Sequence, residues 1–97
     1  MGSHADARLS DNVEARRFEY RVGDALAYVD YHRADGVTTP TYARVPDALG
    51  GRGVGSAMAR AVLEVLRARG DRVVPTCGFI AAYLERHPEF HDLRSPG

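Results

Sequence analysis

A glycine-rich loop is the first feature of the sequence that could do chemistry. The stretch "LGGRGVGSAM" occupies residues 49–58 and leads directly into an amphipathic pattern. Unpaired backbone N–H groups at the start of a helix, together with the positive end of the helix dipole, form an anion-binding site. Gly53 and Gly55 have no side chain that would keep a phosphate away from those groups. The loop therefore predicts either a phosphate site or a plain turn between a strand and a helix.

Two common phosphate-binding motifs do not fit this loop. A P-loop needs a lysine and then a serine or threonine after its last glycine, whereas Ser56 and Ala57 follow Gly55 here. The dinucleotide-binding fingerprint opens a parallel βαβ unit and needs an acidic residue at the end of the next strand. The next predicted strand ends in "VVPTC", without such a residue.

A lone cysteine is the second candidate for chemistry. Cys77 is the single cysteine of the chain, which excludes an internal disulfide and a multi-cysteine metal site. A thiol is nucleophilic as its thiolate, which a nearby cation or a helix N-terminus stabilises. A helix predicted to begin near Phe79 could supply that dipole. A lone cysteine also serves as a small apolar core residue, so both roles stay open.

The elements that must position these residues follow from the periodicity of the apolar side chains. Alternation predicts three strands, at 13–22, 25–33 and 37–45, with short turns between them. Pro40 must lie at an edge, a bulge or a bend of the third strand.

Helical spacing begins after the glycine loop. Apolar residues from Val54 to Leu66 recur every three or four positions and predict a helix that Gly70 ends. "RVVP" (72–75) predicts a short buried strand, and "FIAAYLERHPEF" (79–90) predicts a second helix, ended by Pro88. The predicted fold is α+β: an antiparallel meander on a mixed sheet, followed by a β-α-β-α unit with two parallel strands that splay apart.

Composition limits the class of protein. The chain has 97 residues, is 44% hydrophobic and 27% charged, and carries a formal net charge of zero. These values predict one globular domain over 12–97 after a loose segment at 1–11, whose "MGSH" resembles a tag scar. Zero net charge argues against nucleic-acid and membrane-surface partners. The lone thiol, without any long apolar run, favours the cytoplasm, and the use of arginine without lysine suggests a GC-rich bacterial genome.

The loop and the sequence around it resemble a known family. "GGRGVG" is similar to the pyrophosphate loop of the GNAT N-acetyltransferases, with Gly53 and Gly55 at its two small positions and Gly50 where arginine or glutamine is usual. Residues 42–90 resemble the very short GNAT-like (YidJ-like) family, which carries a "VP-x-x-L-x-G-x-G" loop, a "VVP-x-C" strand end and a "Y-x-x-x-HPE" helix end. The likeness covers about half of the chain.

The resemblance implies that acetyl-coenzyme A is the cosubstrate. Its pyrophosphate would be held mainly by the main chain of seven residues: Gly50, Gly51, Arg52, Gly53, Val54, Gly55 and Ser56. The preceding strand would present backbone groups to the pantetheine arm, at Tyr42, Ala43, Arg44 and Val45. The two parallel strands should separate near Val45 and Pro75 to admit it.

The resemblance also assigns two catalytic candidates. Cys77 would lie beside the thioester, either as an acetyl-accepting nucleophile or as a spectator of direct transfer. Tyr83 takes the place of the tyrosine that protonates the departing coenzyme A thiolate, unless it only packs on the sheet. The histidine base of many relatives would fall near Tyr42 and is therefore missing or displaced. His32 on the neighbouring strand could replace it, whereas His87 is expected to cap a helix end.

Three functions remain open at this point, of which the third is a purely structural or interaction protein. The first is an acetyl-coenzyme A-dependent N-acetyltransferase, and the second is a non-catalytic acyl-coenzyme A-binding or sensing module. So short a chain leaves little room for an acceptor pocket, which favours a small amine, an exposed peptide amine or a site completed by a second subunit. We expect a monomer or a weak homodimer. A metal site is not expected, because Pro88 interrupts the helix between His87 and His91.

Overall fold

The computed structural model describes residues 8–50 and 53–95, which form one five-stranded sheet packed against two helices. The strands lie in chain order across the sheet: β1 (Arg8–Asn12), β2 (Arg17–Val22), β3 (Ala25–Ala34), β4 (Val37–Arg44) and β5 (Arg72–Val73). The first four are antiparallel, and β5 pairs with β4 in parallel. Helix α1 (Val54–Arg69) joins β4 to β5, and helix α2 (Gly78–Arg86) follows β5. The predicted α+β fold is confirmed.

The N-terminal strand differs from the prediction. Residues 8–11 were expected to be loose, but they belong to β1, which pairs with β2. Leu9 packs against the core, and both carboxylate oxygens of Asp11 are bonded, to the Tyr31 hydroxyl and to Arg69. Long-range contacts therefore hold β1 in the sheet. They could not be predicted from the polar composition of the strand itself. Residues 1–7 lie outside the described residues.

The start of the next strand was also placed too early. Residues 13–16 form a turn, in which the Arg16 N–H donates to the Val13 carbonyl at 3.1 Å, and β2 begins at Arg17. Val13 is 69% exposed, so its expected place on the inner face of a strand is wrong. The turn predicted before β4 is confirmed, with left-handed backbone at Asp35 and Gly36.

One core cluster lies under the two helices. Alternate residues of β2 and β3 are buried, which is the pattern of a sheet with one face covered. They meet the apolar sides of α1 and α2; the largest fully buried contributors are Phe18, Val29, Met58, Leu63, Leu66, Ile80 and Leu84. Helix α1 ends as predicted at Gly70, whose left-handed backbone allows the N–H groups of Gly70 and Asp71 to reach the carbonyls of Arg67 and Leu66.

A buried carboxylate fastens the end of α1 to the sheet. The Asp71 side chain is 2% exposed, and Arg33 donates to its two oxygens at 2.7 and 2.8 Å. Thr38 Oγ1 donates a third bond at 2.8 Å. Hydrogen bonding with Arg33 is the main cause that lowers the pKa of Asp71 to about 2, against the opposing effect of burial.

Replacing Asp71 with asparagine is expected to lower the free energy of unfolding by about 2 kcal/mol at pH 7. The folded-state pKa lies below the unfolded value of 3.8, so the ionised form stabilises the fold above about pH 4. That stabilisation is lost as the pH falls through about 2. Urea unfolding measures this effect. The difference in the free energy of unfolding between wild type and variant should shrink by about half or more between pH 7 and pH 2.5.

The matched control is Asp92→Asn. Asp92 also forms a two-bond pair with an arginine, Arg67, but its side chain is 63% exposed. Exposed pairs contribute about 0 to 1 kcal/mol, so this variant should stay near wild type. A stability difference for Asp71→Asn that does not change with pH would contradict the assignment.

Candidate functional site

The ladder between β4 and β5 is short, and the stretch of β4 beyond it, which has no strand at that side among the described residues, borders what is called the gap here. The parallel ladder spans only Val37–Thr38 and Arg72–Val73. The segment after β5 stays beside β4 through two further backbone bonds, from Val74 N–H to the Thr38 carbonyl and from Cys77 N–H to the Pro40 carbonyl, each at 3.0 Å. Helix α2 then begins at Gly78, while β4 continues to Arg44. The expected splay is present, but it begins at Pro40 and Cys77 instead of Val45 and Pro75.

A β-bulge lies at the beginning of this gap. Asp30 pairs with Tyr42 and Tyr31 pairs with Pro40, which leaves Thr41 as an extra residue. The prediction of an edge, a bulge or a bend at Pro40 is thus confirmed. A bulge changes which side chains face inward. Before it Pro40 is buried, and after it Tyr42 is exposed and Ala43 is half-buried. The bulge therefore shifts the inward-facing positions of β4 by one residue, from Pro40 to Ala43.

The glycine loop leads from β4 to the N-terminus of α1. A short 3₁₀ turn at Asp47–Leu49 is anchored by the buried Leu49 side chain. Gly50 follows with extended backbone and donates its N–H to the Asp47 carbonyl at 2.9 Å. Two of the predicted pyrophosphate contacts, Gly51 and Arg52, lie outside the described residues.

The N-terminus of α1 carries no negative charge of its own. Gly53 caps the helix with left-handed backbone (φ 71°) and no side-chain hydrogen bond, and the first turn contains no acidic residue. The N–H groups of the first helical turn, at Val54, Gly55 and Ser56, normally have no partner within a helix. The positive end of the α1 dipole is therefore available to an anion.

Gly55 is the point where three segments meet. A Cβ atom at Gly55 would lie 2.8 Å from Cζ of Phe79 and 3.5 Å from Cγ2 of Val45. The end of β4, the start of α1 and the start of α2 therefore touch at this glycine. Close packing is a reason for the glycine that the sequence did not reveal, because Phe79 is distant in the chain. Phe79 itself is 40% exposed, with its ring beside the loop.

Cys77 lies where the prediction placed it, at the end of the β5 segment and the start of a helix. It is the N-cap residue of α2 and forms no side-chain capping bond. Its side chain is 5% exposed, and its backbone is fixed by the bond to Pro40. The thiol therefore lies near the helix N-terminus and close to the start of the gap.

Tyr83 is held on the other side of α2, against α1 and the C-terminal segment. It is 3% exposed, and its ring stacks on His87 with centroids 3.8 Å apart. Hydrogen bonding with the Tyr83 side chain is the largest cause of the raised pKa of Arg60, and a second is the bond to Glu89. Cys77 and Tyr83 are separated by about 9 Å along the helix axis. The structure thus brings Val45, Gly55 and Cys77 to the gap, whereas Tyr83 is buried beside His87 and Phe90.

The histidines have different roles. The ring N–H of His87 at Nδ1 donates to the Tyr83 carbonyl at 2.8 Å, and His91 Nε2 lies 2.7 Å from the Leu84 carbonyl. Both therefore bond carbonyls near the C-terminus of α2, and the predicted capping role of His87 is confirmed. His32 is exposed on β3. Tyr42, at the place of the missing histidine base, is 51% exposed beside Tyr28.

Residues 8–50 and 53–95 contain neither a candidate metal site nor a helix that could span a membrane. No three histidine, cysteine, aspartate or glutamate side chains lie together in a way that could hold a metal ion. Neither helix combines the length and the apolar character that crossing a membrane requires.

Comparison with known proteins agrees with this geometry. Residues 17–93 match the family model of the GCN5-related N-acetyltransferases. The NMR solution structure of a GCN5-like proposed N-acetyltransferase from Staphylococcus aureus is similar, with a TM-score of 0.68 and 26% identity over 96% of this chain and 90% of that one. No protein with a curated function matches the chain. The narrower YidJ-like grouping stays a prediction. The family match covers most of the chain, from β2 through a 3₁₀ segment at Pro88–Leu93, and this protein belongs to the GCN5-related N-acetyltransferase family.

Proposed function

We propose that the protein binds acetyl-coenzyme A in the gap beside β4 and transfers the acetyl group to an amine. The observation that carries the proposal is the meeting of two features at Gly55: a strand end without a parallel strand beside it, and a helix N-terminus without a capping side chain. The strand end suits the extended pantetheine arm, which can pair with backbone groups. The helix N-terminus suits the pyrophosphate of the same molecule. Membership of the acetyltransferase family supports the same cosubstrate.

Main-chain groups would do most of the binding. The pyrophosphate would accept hydrogen bonds from the amides at the start of α1, at Gly53, Val54, Gly55 and Ser56, with Gly50, Gly51 and Arg52 completing the loop. The pantetheine arm would lie along Tyr42, Ala43, Arg44 and Val45. Backbone donors suit this task because their positions are fixed by the strand and the helix, so little ordering is required when the ligand binds.

The proposed reaction is direct transfer between two bound substrates. The acceptor nitrogen, as a neutral amine, attacks the thioester carbonyl, a C–N bond forms, the nitrogen releases its proton to solvent, and the C–S bond breaks. The departing thiolate takes a proton, for which Tyr83 is the proposed donor. A phenol and an alkyl thiol have pKa values within about two units of each other, so this transfer needs little driving force. We assign no base, because His87 and His91 are bonded to carbonyls and His32 is opposite Thr39, before the part of β4 that borders the gap.

The acceptor is proposed to be a small amine or an exposed amine of a peptide. The outer face of β3 and β4 beside the gap is open, with Tyr42 exposed there, and a shallow site of this kind places few steric limits on an acceptor. The cytoplasm, where acetyl-coenzyme A and free thiols coexist, is the proposed location.

The second candidate is an acyl-coenzyme A-binding module without turnover. It is favoured by one observation: the place of the expected histidine base is occupied by Tyr42, which is exposed. Release of free coenzyme A in the presence of a panel of amines separates the two functions. Amine-dependent release supports transfer. Saturable binding of acetyl-coenzyme A without release of coenzyme A would indicate a binding module instead.

Replacing Cys77 with alanine is expected to leave kcat within about tenfold of wild type, since direct transfer needs no thiol. Intact mass after incubation with acetyl-coenzyme A should show no acetyl adduct on wild type. A modest loss of stability is expected, because the variant removes a buried sulfur atom. An adduct that Cys77→Ala loses together with its turnover would contradict direct transfer and identify an acetyl-enzyme.

A further inference from the structure

A cavity lies at the end of β3, beside the C-terminus of α1 and therefore away from the glycine loop. It has a volume of about 360 Å³. Tyr31, His32 and Arg33 line it from the end of β3, and Arg69 lines it from the last position of α1. The start of α1, by contrast, lies at the proposed coenzyme site, and a helix of 16 residues is about 24 Å long. The two sites are therefore distinct.

The charges that line this cavity do not cancel. Asp11 accepts a bond from the Tyr31 hydroxyl at 2.5 Å and one from Arg69 at 2.8 Å. Arg33 is bound to Asp71 through two hydrogen bonds. Burial and the bond to Asp11 raise the pKa of Tyr31 to about 12, which keeps its hydroxyl a donor to that carboxylate. The lining holds three arginines, at 16, 33 and 69. Two carboxylates balance them: Asp11 in the lining, and Asp71 as the partner of Arg33. One positive charge is left in excess.

Arg16 carries the excess charge. It lines the cavity and is exposed, and within the described ranges its guanidinium has no hydrogen bond or ion pair. His32, also in the lining, has no side-chain partner among the same residues. An arginine and an imidazole that lie beside one cavity, both without partners, can donate to the same anion.

The backbone at Arg16 supports a role in binding. Its φ is +57°, a left-handed conformation that is strained for an L-residue and that glycine adopts freely. The turn holds this conformation through two backbone bonds, from Arg16 N–H to Val13 and from Tyr31 N–H to the Arg16 carbonyl. Strained residues of this kind concentrate at sites that clamp ligands.

The remaining lining limits the class of ligand. Val13 is 69% exposed beside the Tyr31 ring, so part of the wall is apolar. A single excess cation suits a monoanion better than a phosphate with its two charges. The volume falls in the range of sites for small molecules, about 300 to 1,000 Å³.

We infer that this cavity binds an organic monocarboxylate, with the carboxylate at Arg16 and His32 and the apolar body against Val13 and Tyr31. A free acid and the C-terminal carboxylate of a peptide share this chemistry. The inference does not depend on the proposed acetyl transfer, since none of these residues belongs to the gap.

The test is a titration of the ¹⁵N-labelled protein followed by its amide resonances, with benzoate as the probe and benzamide as its neutral counterpart. Benzoate should saturate and shift the amides of 13–17 and 31–33, and benzamide should not. N-acetyl-phenylalanine and its amide form a second pair that mimics a peptide end. Binding of N-acetyl-phenylalanine alone would assign the site to chain termini and still support the inference. Equal shifts by an acid and its amide, or no shifts at these residues with either acid, would overturn it.

Arg16→Gly separates binding from folding. It removes the excess charge and also relieves the left-handed backbone, so its melting temperature should equal or exceed that of wild type. Benzoate, or N-acetyl-phenylalanine if that acid alone binds, should bind it about tenfold more weakly, a change of about 1.4 kcal/mol. The control is Arg21→Ala, which removes an exposed arginine from the same hairpin outside the lining and should keep wild-type affinity. Wild-type affinity in Arg16→Gly would contradict the inference.

Discussion

Replacing Tyr83 with phenylalanine is expected to lower kcat by about 100- to 10,000-fold, because this is the usual contribution of a general acid. The KM for acetyl-coenzyme A should change little, since the hydroxyl is proposed to act only in the transition state. Phenylalanine keeps the ring that stacks on His87, so the fold should persist. Steady-state rates with the best acceptor from the amine panel measure both constants.

Two controls make this result interpretable. Hydrogen bonding with the Tyr83 side chain raises the pKa of Arg60, so the phenol is expected to leave Arg60 when it reaches the thiolate. Arg60→Ala, which removes the partner and keeps the phenol, should therefore retain kcat within a few-fold. Tyr20→Phe changes another buried tyrosine, on β2, and should also be neutral. A Tyr83→Phe variant with wild-type turnover would contradict the role of Tyr83 as proton donor and leave it as a packing residue.

Replacing Gly55 with valine is expected to weaken acetyl-coenzyme A binding by about 100-fold or more. The branched side chain would stand over the amides at the start of α1 and block the close approach of a phosphate. Because its Cβ would also lie 2.8 Å from Phe79, some loss of stability is expected as well. Calorimetric titration with acetyl-coenzyme A, alongside thermal unfolding, measures the two effects separately.

A second variant distinguishes blocked binding from disturbed packing. Phe79→Ala removes the ring that collides with the new side chain, so Gly55→Val combined with Phe79→Ala should recover part of the lost stability. If Gly55 matters for the phosphate, the double variant should still bind acetyl-coenzyme A about 100-fold more weakly than Phe79→Ala alone. Recovery of affinity together with stability would show that the glycine serves only packing.

Local patterns in the sequence were sufficient for several elements. The apolar repeat and Gly70 predicted the extent of α1, and Pro40 marked the bulge region, because these features depend on neighbouring residues. The strand β1 was missed because Leu9 is its single apolar residue and the bonds that hold Asp11 come from distant parts of the chain. Tertiary contacts override local preference in such segments.

The site was predictable to a similar extent. Cys77 at a helix N-terminus and a glycine before α1 follow from element order, and the structure has Cys77 as the N-cap of α2 and Gly53 as the N-cap of α1. The contact between Gly55 and Phe79 could not be predicted, because it depends on how two helices approach each other. The hydrogen bonding of Tyr83 with Arg60 depends on the same packing.

The most direct test of the central claim is a titration of the ¹⁵N-labelled wild-type protein with acetyl-coenzyme A. The proposed site predicts saturable one-to-one binding, with the largest amide shifts at Ala43, Arg44 and Val45 and at the start of α1, from Gly53 to Ser56. An absence of saturable binding, or shifts confined to residues away from β4 and the α1 N-terminus, would contradict it.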